Sequence, residues 1–259
     1  MENTLFIGKV YLRFDELPST NDYTLDLLAA TANNRPPEGA VVRAAIQSAG
    51  RGQYGSRWES AHGENLLLSV LLYPVWLEIG AQFYLSMATV LALRDTAEAS
   101  ISSLAGGLFT VKWPNDLYAG DRKCAGILIQ NALSGNHLQS SVVGIGLNVN
   151  ETDFHPDVPN ATSLALVSGQ KMDPDLVADT LFECLERRYL QLKSGQRAAL
   201  KAEYERHLFR FGVLAPYSRP DGSHFEGTIR GVTNEGRLRM ESTDGREETF
   251  GLKELSALF

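Results

Sequence analysis

Cysteine is nearly absent from this chain. Only Cys124 and Cys184 occur in 259 residues, far apart and without the close spacing of a metal site. That count excludes a disulfide scaffold and a zinc cluster, and both thiols are expected to be buried in a reducing compartment. Long hydrophobic runs are missing as well: no apolar stretch reaches the roughly 18 residues that a bilayer span needs. The opening Met1-Glu2-Asn3-Thr4 is acidic and polar, unlike the basic lead of a secretory signal. Positive charge is in deficit, with 24 Lys and Arg against 31 Asp and Glu and a net charge of −7. General nucleic-acid affinity would need a clustered basic face, which this balance argues against. No internal repeat or low-complexity tract is evident. The expectation is a cytoplasmic protein without a membrane or nucleic-acid partner. What is present is ordinary for a globular protein, 44% hydrophobic and 21% charged, and the length fits one large domain or a large one joined to a small one.

Periodicity predicts a mixed α and β order. Residues 5–14 alternate loosely and predict a strand. Ser19 and Thr20 form a polar edge before a helix whose buried side should carry Leu25, Leu27 and Leu28. Residues 40–46 and 65–72 predict strands, and residues 81–99 a helix with Phe83, Met87, Val90, Leu91 and Ala97 at helical spacing. Residues 108–112, 123–131 and 141–148 complete a mainly antiparallel or mixed sheet. Residues 150–160, with Glu151, Asp153, Pro156, Asp157 and Pro159, read as a connecting loop. Residues 176–192 are amphipathic and helical, and residues 198–208 continue as another helix after Gly195. Beyond Phe211, turn signals at Asp221-Gly222, Asn234-Glu235-Gly236 and Asp244-Gly245 punctuate short strands, the pattern of a small β-barrel.

Two segments stand out chemically. Val111-Lys112-Trp113-Pro114-Asn115-Asp116-Leu117-Tyr118 is followed by Asp121-Arg122-Lys123-Cys124-Ala125-Gly126-Ile127-Leu128. Pro114 lacks an amide donor and holds Trp113 extended, so an incoming strand should stop there. Asn115 and Asp116 fit a turn, and Gly126 opens a new buried run. A strand, a polar loop and a strand result, with Lys112 and Lys123 on either side of a carboxylate. The other segment, Gln47-Ser48-Ala49-Gly50-Arg51-Gly52-Gln53-Tyr54-Gly55-Ser56-Arg57-Trp58, has glycines that let backbone approach a ligand and arginines that fork onto phosphate oxygens. It lacks the Gly-Lys-Ser/Thr of a Walker loop and the glycine spacing of a dinucleotide-binding fingerprint.

Taken with Ser19-Thr20-Asn21 and Gly144-Ile145-Gly146-Leu147-Asn148-Val149-Asn150, these segments resemble, in order and separation, the biotin protein ligases, which attach biotin to a lysine of biotin-dependent carboxylases. The resemblance spans nearly the whole chain. It implies an α+β fold: a mixed-sheet catalytic domain of the class II synthetase kind with helices on one face, over residues 1–208, and an SH3-like β-barrel over residues 209–259. Some members carry an N-terminal winged helix that binds an operator; here the catalytic motifs start almost at once, so no repressor role is expected. One departure concerns the glycine loop. The family commonly has Gly-Arg-Gly-Arg-x-Gly-Arg, and the second and third arginines are Gln53 and Ser56 here, with Arg57 one place beyond.

The implied chemistry joins biotin and ATP into biotinyl-5′-AMP and then passes biotin to a carrier lysine. Two anions meet in the first step, so positive charge is needed at the carboxylate and α-phosphate. The resemblance assigns catalysis to Lys123, Arg51 and Asp116. It assigns biotin binding to Ser19, Thr20, Asn21, Gln47, Gly50, Arg51, Gly52, Gln53, Trp58, Lys123, Gly126, Leu128, Gly144 and Gly146. ATP binding falls to Arg51, Trp58, Lys112, Asn115 and Asn148. Mg²⁺ is expected with ATP, with few protein ligands, and Asp116 and Asn115 are suited either to bind it or to orient the incoming lysine. The partner implied is a biotin carboxyl carrier domain, and edge-strand pairing offers a route to a homodimer. By the residues alone, Ser19-Thr20-Asn21 is more commonly an N-cap, residues 144–150 read first as a plain buried strand ending in a turn, and Trp58 divides evenly between core and ligand contact; Trp113 reads as packing. A lipoate or octanoate ligase, and a non-catalytic biotin-sensing or carrier-binding module, are the competing readings.

Overall fold

The computed structural model describes residues 3–31, 34–101 and 107–258. Seven strands form one mixed sheet: β1 (Tyr11–Leu17), β2 (Val41–Gln47), β3 (Leu66–Leu72), β4 (Phe109–Lys112), β5 (Asp116–Ala119), β6 (Arg122–Ser134) and β7 (His137–Leu147). Their spatial order is β1-β2-β3-β7-β6-β5-β4. β1 and β2 run parallel, and the other neighbours are antiparallel. The central strand β3 reads Leu-Leu-Leu-Ser-Val-Leu-Leu and is buried throughout, which requires cover on both faces. Alternation sends Leu66, Leu68, Val70 and Leu72 into the main core with α2 (Phe83–Ser100) and α4 (Pro174–Lys193). It sends Ser69 the other way, where its hydroxyl meets Thr20 and Asn21 of α1 (Thr20–Ala30). The two long helices thus cover one face, and α1 lies on the face that will form the site.

The helices are locally specified. Asp173 caps α4 through the Asp175 amide, and Pro174 takes the first turn, where its missing donor costs nothing. Ser163 caps the short α3 (Leu164–Ser168), and α5 (Arg197–Arg206) follows Gly195, whose φ of 84° closes the preceding turn. Arg188, only 9% exposed, forks onto Asp95 of α2 and Glu203 of α5.

The C-terminal part is a separate antiparallel sheet of β8 (Leu214–Ser218), β9 (His224–Val232), β10 (Leu238–Ser242), β11 (Glu247–Phe250) and β12 (Ser256–Ala257), ordered β11-β10-β9-β8-β12. It fits the small β domain expected from the turn signals. Gly222, Gly236 and Gly245 sit in those turns with φ of 83°, 90° and 81°, conformations that only glycine adopts cheaply.

Several expectations need correction. The first strand begins at Tyr11, later than residue 5, because residues 5–7 are drawn off by the Glu186 carboxylate, which accepts the amides of Leu5, Phe6 and Ile7. Helix α1 buries Thr20, Asn21 and Thr24, while Leu25, Leu27 and Leu28 are only half-buried; a polar surface lies beneath it. The segment after Pro114 is no simple loop, since β5 runs between two tight turns and makes β4-β5-β6 a meander. α3 was not foreseen. Among the described residues no helix is long and apolar enough to cross a membrane.

Candidate active site

Three glycines make the floor of a cleft on the α1 face of the sheet. Gly144 and Gly146 alternate along β7, and Gly126 of β6 pairs with Gly146. What fills the space above them is protein. A Cβ on Gly146 would come within 2.5 Å of the Trp58 indole, and one on Gly144 within 2.4 Å of Asn21 Oδ1. On Gly126 it would lie 3.1 Å from both Trp58 and Asp116. The glycines therefore bring the lining side chains down onto the sheet, where a side chain at the same position would lift them off.

One end of the cleft is polar. Gln47 Oε1 accepts from the Thr20 amide at 2.7 Å and from the Thr20 hydroxyl at 3.1 Å. Asn21 Nδ2 donates to the Leu128 carbonyl at 3.2 Å and to Gln130 Oε1 at 2.8 Å. Ser69 Oγ lies 2.8 Å from Thr20 Oγ1 and 2.6 Å from Asn21 Oδ1. Ser19 caps α1 through the Asp22 amide, so the capping reading holds for it and leaves its place in the cleft wall intact.

The other end is charged. Lys123 Nζ is 2.8 Å from Asp116 Oδ1 and 5.4 Å from the centre of the Trp58 ring. Its backbone is clamped by the 150–160 loop, since Lys123 N donates to Asn160 O and Thr162 N donates to Lys123 O. Asn115 is tied to β6 twice, through Nδ2 to the Ile127 carbonyl at 2.7 Å and through its own carbonyl to the Ile127 amide. Lys112 points elsewhere. Its Nζ donates to the Tyr118 hydroxyl at 3.0 Å and faces the hollow beneath the C-terminal sheet. Burial lowers the Lys112 ammonium from its ordinary range, with Lys123 and Arg210 adding to the effect and Asp116 opposing it. Burial, with the nearby Asp116 carboxylate, pushes the Tyr118 hydroxyl up to about 12.

The glycine–arginine segment folds as a small hairpin over the cleft. Arg51 and Arg57 bridge antiparallel, Gly52 N donates to Ser56 O, and Trp58 N donates to Gly50 O. Gly50 is needed there because a Cβ would sit 2.3 Å from the Trp58 carbonyl oxygen. Arg51 reaches back to Asp22 of α1 at 3.1 Å.

The cleft gathers Ser19, Thr20, Asn21, Gln47, Arg51, Gly52, Gln53, Trp58, Asn115, Asp116, Lys123, Gly126, Leu128, Gly144 and Gly146, together with Ser56, Arg57, Ile127 and Ile145. Three expected residues fall outside it. Gly50 lies behind the hairpin in a side groove, and Lys112 lines the hollow under the C-terminal sheet. Asn148 lines a neighbouring recess that shares Arg57, Trp58 and Lys123 with the cleft; its amide is spent on the Thr162 carbonyl. The sequence reading missed Ser69 and Gln130. Ser69 had a signal, as the one polar residue in an otherwise apolar strand. Gln130 had none. Among the described residues no three His, Cys, Asp or Glu side chains group as a metal site, and both cysteines are free and buried.

Comparison with known proteins adds an independent line. The model of the biotin/lipoate A/B protein ligase family matches residues 14–148. The bifunctional ligase/repressor BirA of Bacillus subtilis is 31% identical over 251 residues, covering 95% of this chain and 74% of that protein. The biotin–[acetyl-CoA-carboxylase] ligase of Mycobacterium tuberculosis is 31% identical, covering 90% of this chain and 85% of that one. Among solved structures, a biotin protein ligase from Aquifex aeolicus in complex with biotin and ATP superposes with a TM-score of 0.78 at 23% identity, covering 96% of this chain and 98% of that chain. At that identity the likeness speaks for the fold.

Proposed function

The chain belongs to the biotin/lipoate A/B protein ligase family, and on that footing we propose that it is an ATP-dependent biotin protein ligase serving a biotin carboxyl carrier domain. The observation that carries this reading is the position of Lys123 and Trp58, which line both the polar-ended cleft and the neighbouring recess. Biotin lies in the first with its ureido ring toward Thr20, Asn21 and Gln47 and its carboxylate at Lys123. The adenylate extends into the second, past Trp58 and Asn148.

In the first step a biotin carboxylate oxygen attacks the α-phosphorus of ATP, the bond to the β-phosphate oxygen breaks, and pyrophosphate leaves. Lys123 supplies charge at the forming bond, and Arg51 supplies a guanidinium from the hairpin. In the second, the carrier lysine, as its neutral amine, attacks the acyl carbon; the acyl–oxygen bond breaks, AMP departs, and the amine gives up one proton to solvent. Asp116 is placed to orient the incoming amine once Lys123 turns to the phosphate. Lys112 neutralises the triphosphate only if the outer phosphates run toward the C-terminal sheet. Among the described residues Asp116 is the one carboxylate in the cleft wall, a donor set that fits Mg²⁺ carried in on the phosphates rather than held in a protein cage. Residues 1–208 act as the catalytic domain and 209–259 as the appended β domain. A cytoplasmic setting, with reduced thiols and without nucleic-acid or membrane partners, agrees with the acidic charge balance. A homodimer would form most simply at β1, the outermost strand on one side, since the chain at Leu208 bridges to Val111 on the other edge strand, β4.

The test is to supply purified protein with ATP and either biotin or lipoate and to follow pyrophosphate, then to add a carrier domain and follow lysine acylation. Biotin-dependent release with transfer is expected. Release with lipoate alone would move the chain to the lipoate side of the family, and release with neither would make it a binding module.

A further inference from the structure

The polar end of the cleft has a fixed hydrogen-bond direction, set by the Thr20 amide and Leu128 carbonyl in its wall and by Ser69 and Gln130 just outside it. The Thr20 amide can only donate, so Gln47 turns Oε1 toward it, and Nε2 becomes the face that the amide presents elsewhere. Likewise the Leu128 carbonyl can only accept, so Asn21 turns Nδ2 toward it and toward Gln130 Oε1. Asn21 Oδ1 is then left facing Ser69 Oγ, 2.6 Å away. Ser69 has one proton, and Asn21 claims it. Thr20 Oγ1, 2.8 Å from the same Ser69 oxygen, therefore receives nothing from Ser69. It must donate its own proton within the protein, to Ser69 Oγ or to Gln47 Oε1. What Thr20 keeps for a ligand is a lone pair.

We propose that Ser69 and Gln130 are positioning residues that polarise this pocket for a cyclic urea, with Thr20 Oγ1 held as acceptor for a urea N–H and Gln47 Nε2 as donor to the urea carbonyl. The proposal rests on the biotin-ligase reading and adds the origin of its selectivity. An acid whose ring has no N–H leaves the Thr20 acceptor unpaired, and a buried unpaired acceptor is costly. Ser69 is fully buried and sits opposite Gly144 in the β3–β7 pair, where the missing Cβ gives Asn21 its place. Three consecutive demands of one chain, Gly144 for room, Ser69 for the proton and Gln130 for the amide orientation, meet at Asn21.

The experiment measures dissociation constants for biotin and for desthiobiotin, which keeps the urea and lacks the thioether ring, beside kcat and the KM for ATP. Ser69→Ala is expected to weaken both ligands by about tenfold, as a buried hydrogen bond lost from a satisfied network, with kcat and the ATP KM within about twofold of wild type. Gln130→Leu should weaken both by a smaller factor, because Leu128 still orients Asn21. Gln130→Glu, which keeps an acceptor for Asn21, should restore them. Gln130 is only half-buried, so the Leu and Glu pair decides the matter even if Ser69→Ala folds poorly. Unchanged affinities, a loss for biotin without one for desthiobiotin, or a parallel fall in kcat and ATP affinity overturns the proposal. A wild type that binds biotin but never releases pyrophosphate overturns the ligase reading instead, and leaves the polarity to be judged on the binding constants.

Discussion

Lys123 is the residue to which the proposed chemistry assigns the charge at the forming bond, and its setting shows where that charge rests in the cleft. Asp116 holds its ammonium 2.8 Å away, so the charge is parked beside the cleft rather than spread through solvent. Removing it with Lys123→Ala should lower biotin-dependent pyrophosphate release by about 10²- to 10³-fold while the thermal midpoint stays close to wild type; a near-normal rate would take Lys123 out of the reaction. Tyr118 offers a pH test next to it. Its hydroxyl is raised to about 12 from a usual 10 by burial and by Asp116. A group raised on folding favours the folded state below its unfolded value, and that contribution is lost as pH climbs through the folded value. Alkaline titration by tyrosine absorbance should therefore show a component near pH 12 that Tyr118→Phe removes, and stability should decline between pH 10 and 12 less steeply in that variant. A titration curve unaltered by the substitution would place the late component elsewhere.

At the scale of elements, among the described residues the glycine–arginine hairpin is held by three backbone bonds among Gly50, Gly52, Gln53, Ser56 and Trp58, by the Ser56 hydroxyl donating to the Gln53 carbonyl, and by Arg51 to Asp22. So little contact predicts faster amide exchange than in the strands on either side, with protection rising when biotin and ATP are added. Equal exchange in both states would mean that the hairpin is already closed. Gln53 stands where the family commonly has arginine, and it lines both the cleft and the hollow below the C-terminal sheet. Gln53→Arg should lengthen the life of bound adenylate in a chase with unlabelled biotin and ATP, by roughly a factor of ten if one charge-assisted bond of about 1.5 kcal/mol is gained; an unchanged release rate would show that backbone and Arg51 hold the ligand alone. These elements also show what could be read in advance. Strands β2, β3, β6 and β7 and helices α2, α4 and α5 were legible within a few residues because burial imposes a period on them. β5 and α3 were not, since four or five residues carry too little pattern. α1 misled, because its buried face is Thr20, Asn21 and Thr24, and polar burial looks like exposure until Ser69 and Gln130 are placed beneath it. The motifs named most of the cleft wall, but no spacing could say that Lys112 and Asn148 turn away from it.

For the whole molecule the question is how the C-terminal sheet stays on the larger sheet, and one turn carries much of the answer. Trp113 Nε1 donates to the Gly236 carbonyl at 2.8 Å, the Tyr84 hydroxyl and Lys201 both reach Asn234 Oδ1, and Glu205 accepts the Val232 amide. Phe83 lies so close to Gly236 that a Cβ there would be 2.3 Å from its ring, and Gly236 has a φ of 90°. An alanine at this position meets two costs: about 1 kcal/mol for the left-handed backbone and about 1–3 kcal/mol for overpacking against Phe83. Both costs fall on this turn, so Gly236→Ala should loosen the docking there, against a single hydrophobic core in which Val232, Leu238 and Met240 join Tyr84, Tyr204 and Leu208. Calorimetry of the wild type should give one transition. The variant should melt several degrees lower. If the outer phosphates of ATP run into the hollow of Lys112 and Gln53, which Leu238, Leu252 and Leu255 of the C-terminal part wall, the same variant should raise the KM for ATP more than that for biotin. A single unshifted transition in Gly236→Ala, with both KM values unchanged, would mean that this turn neither docks the sheet nor shapes the nucleotide side of the site.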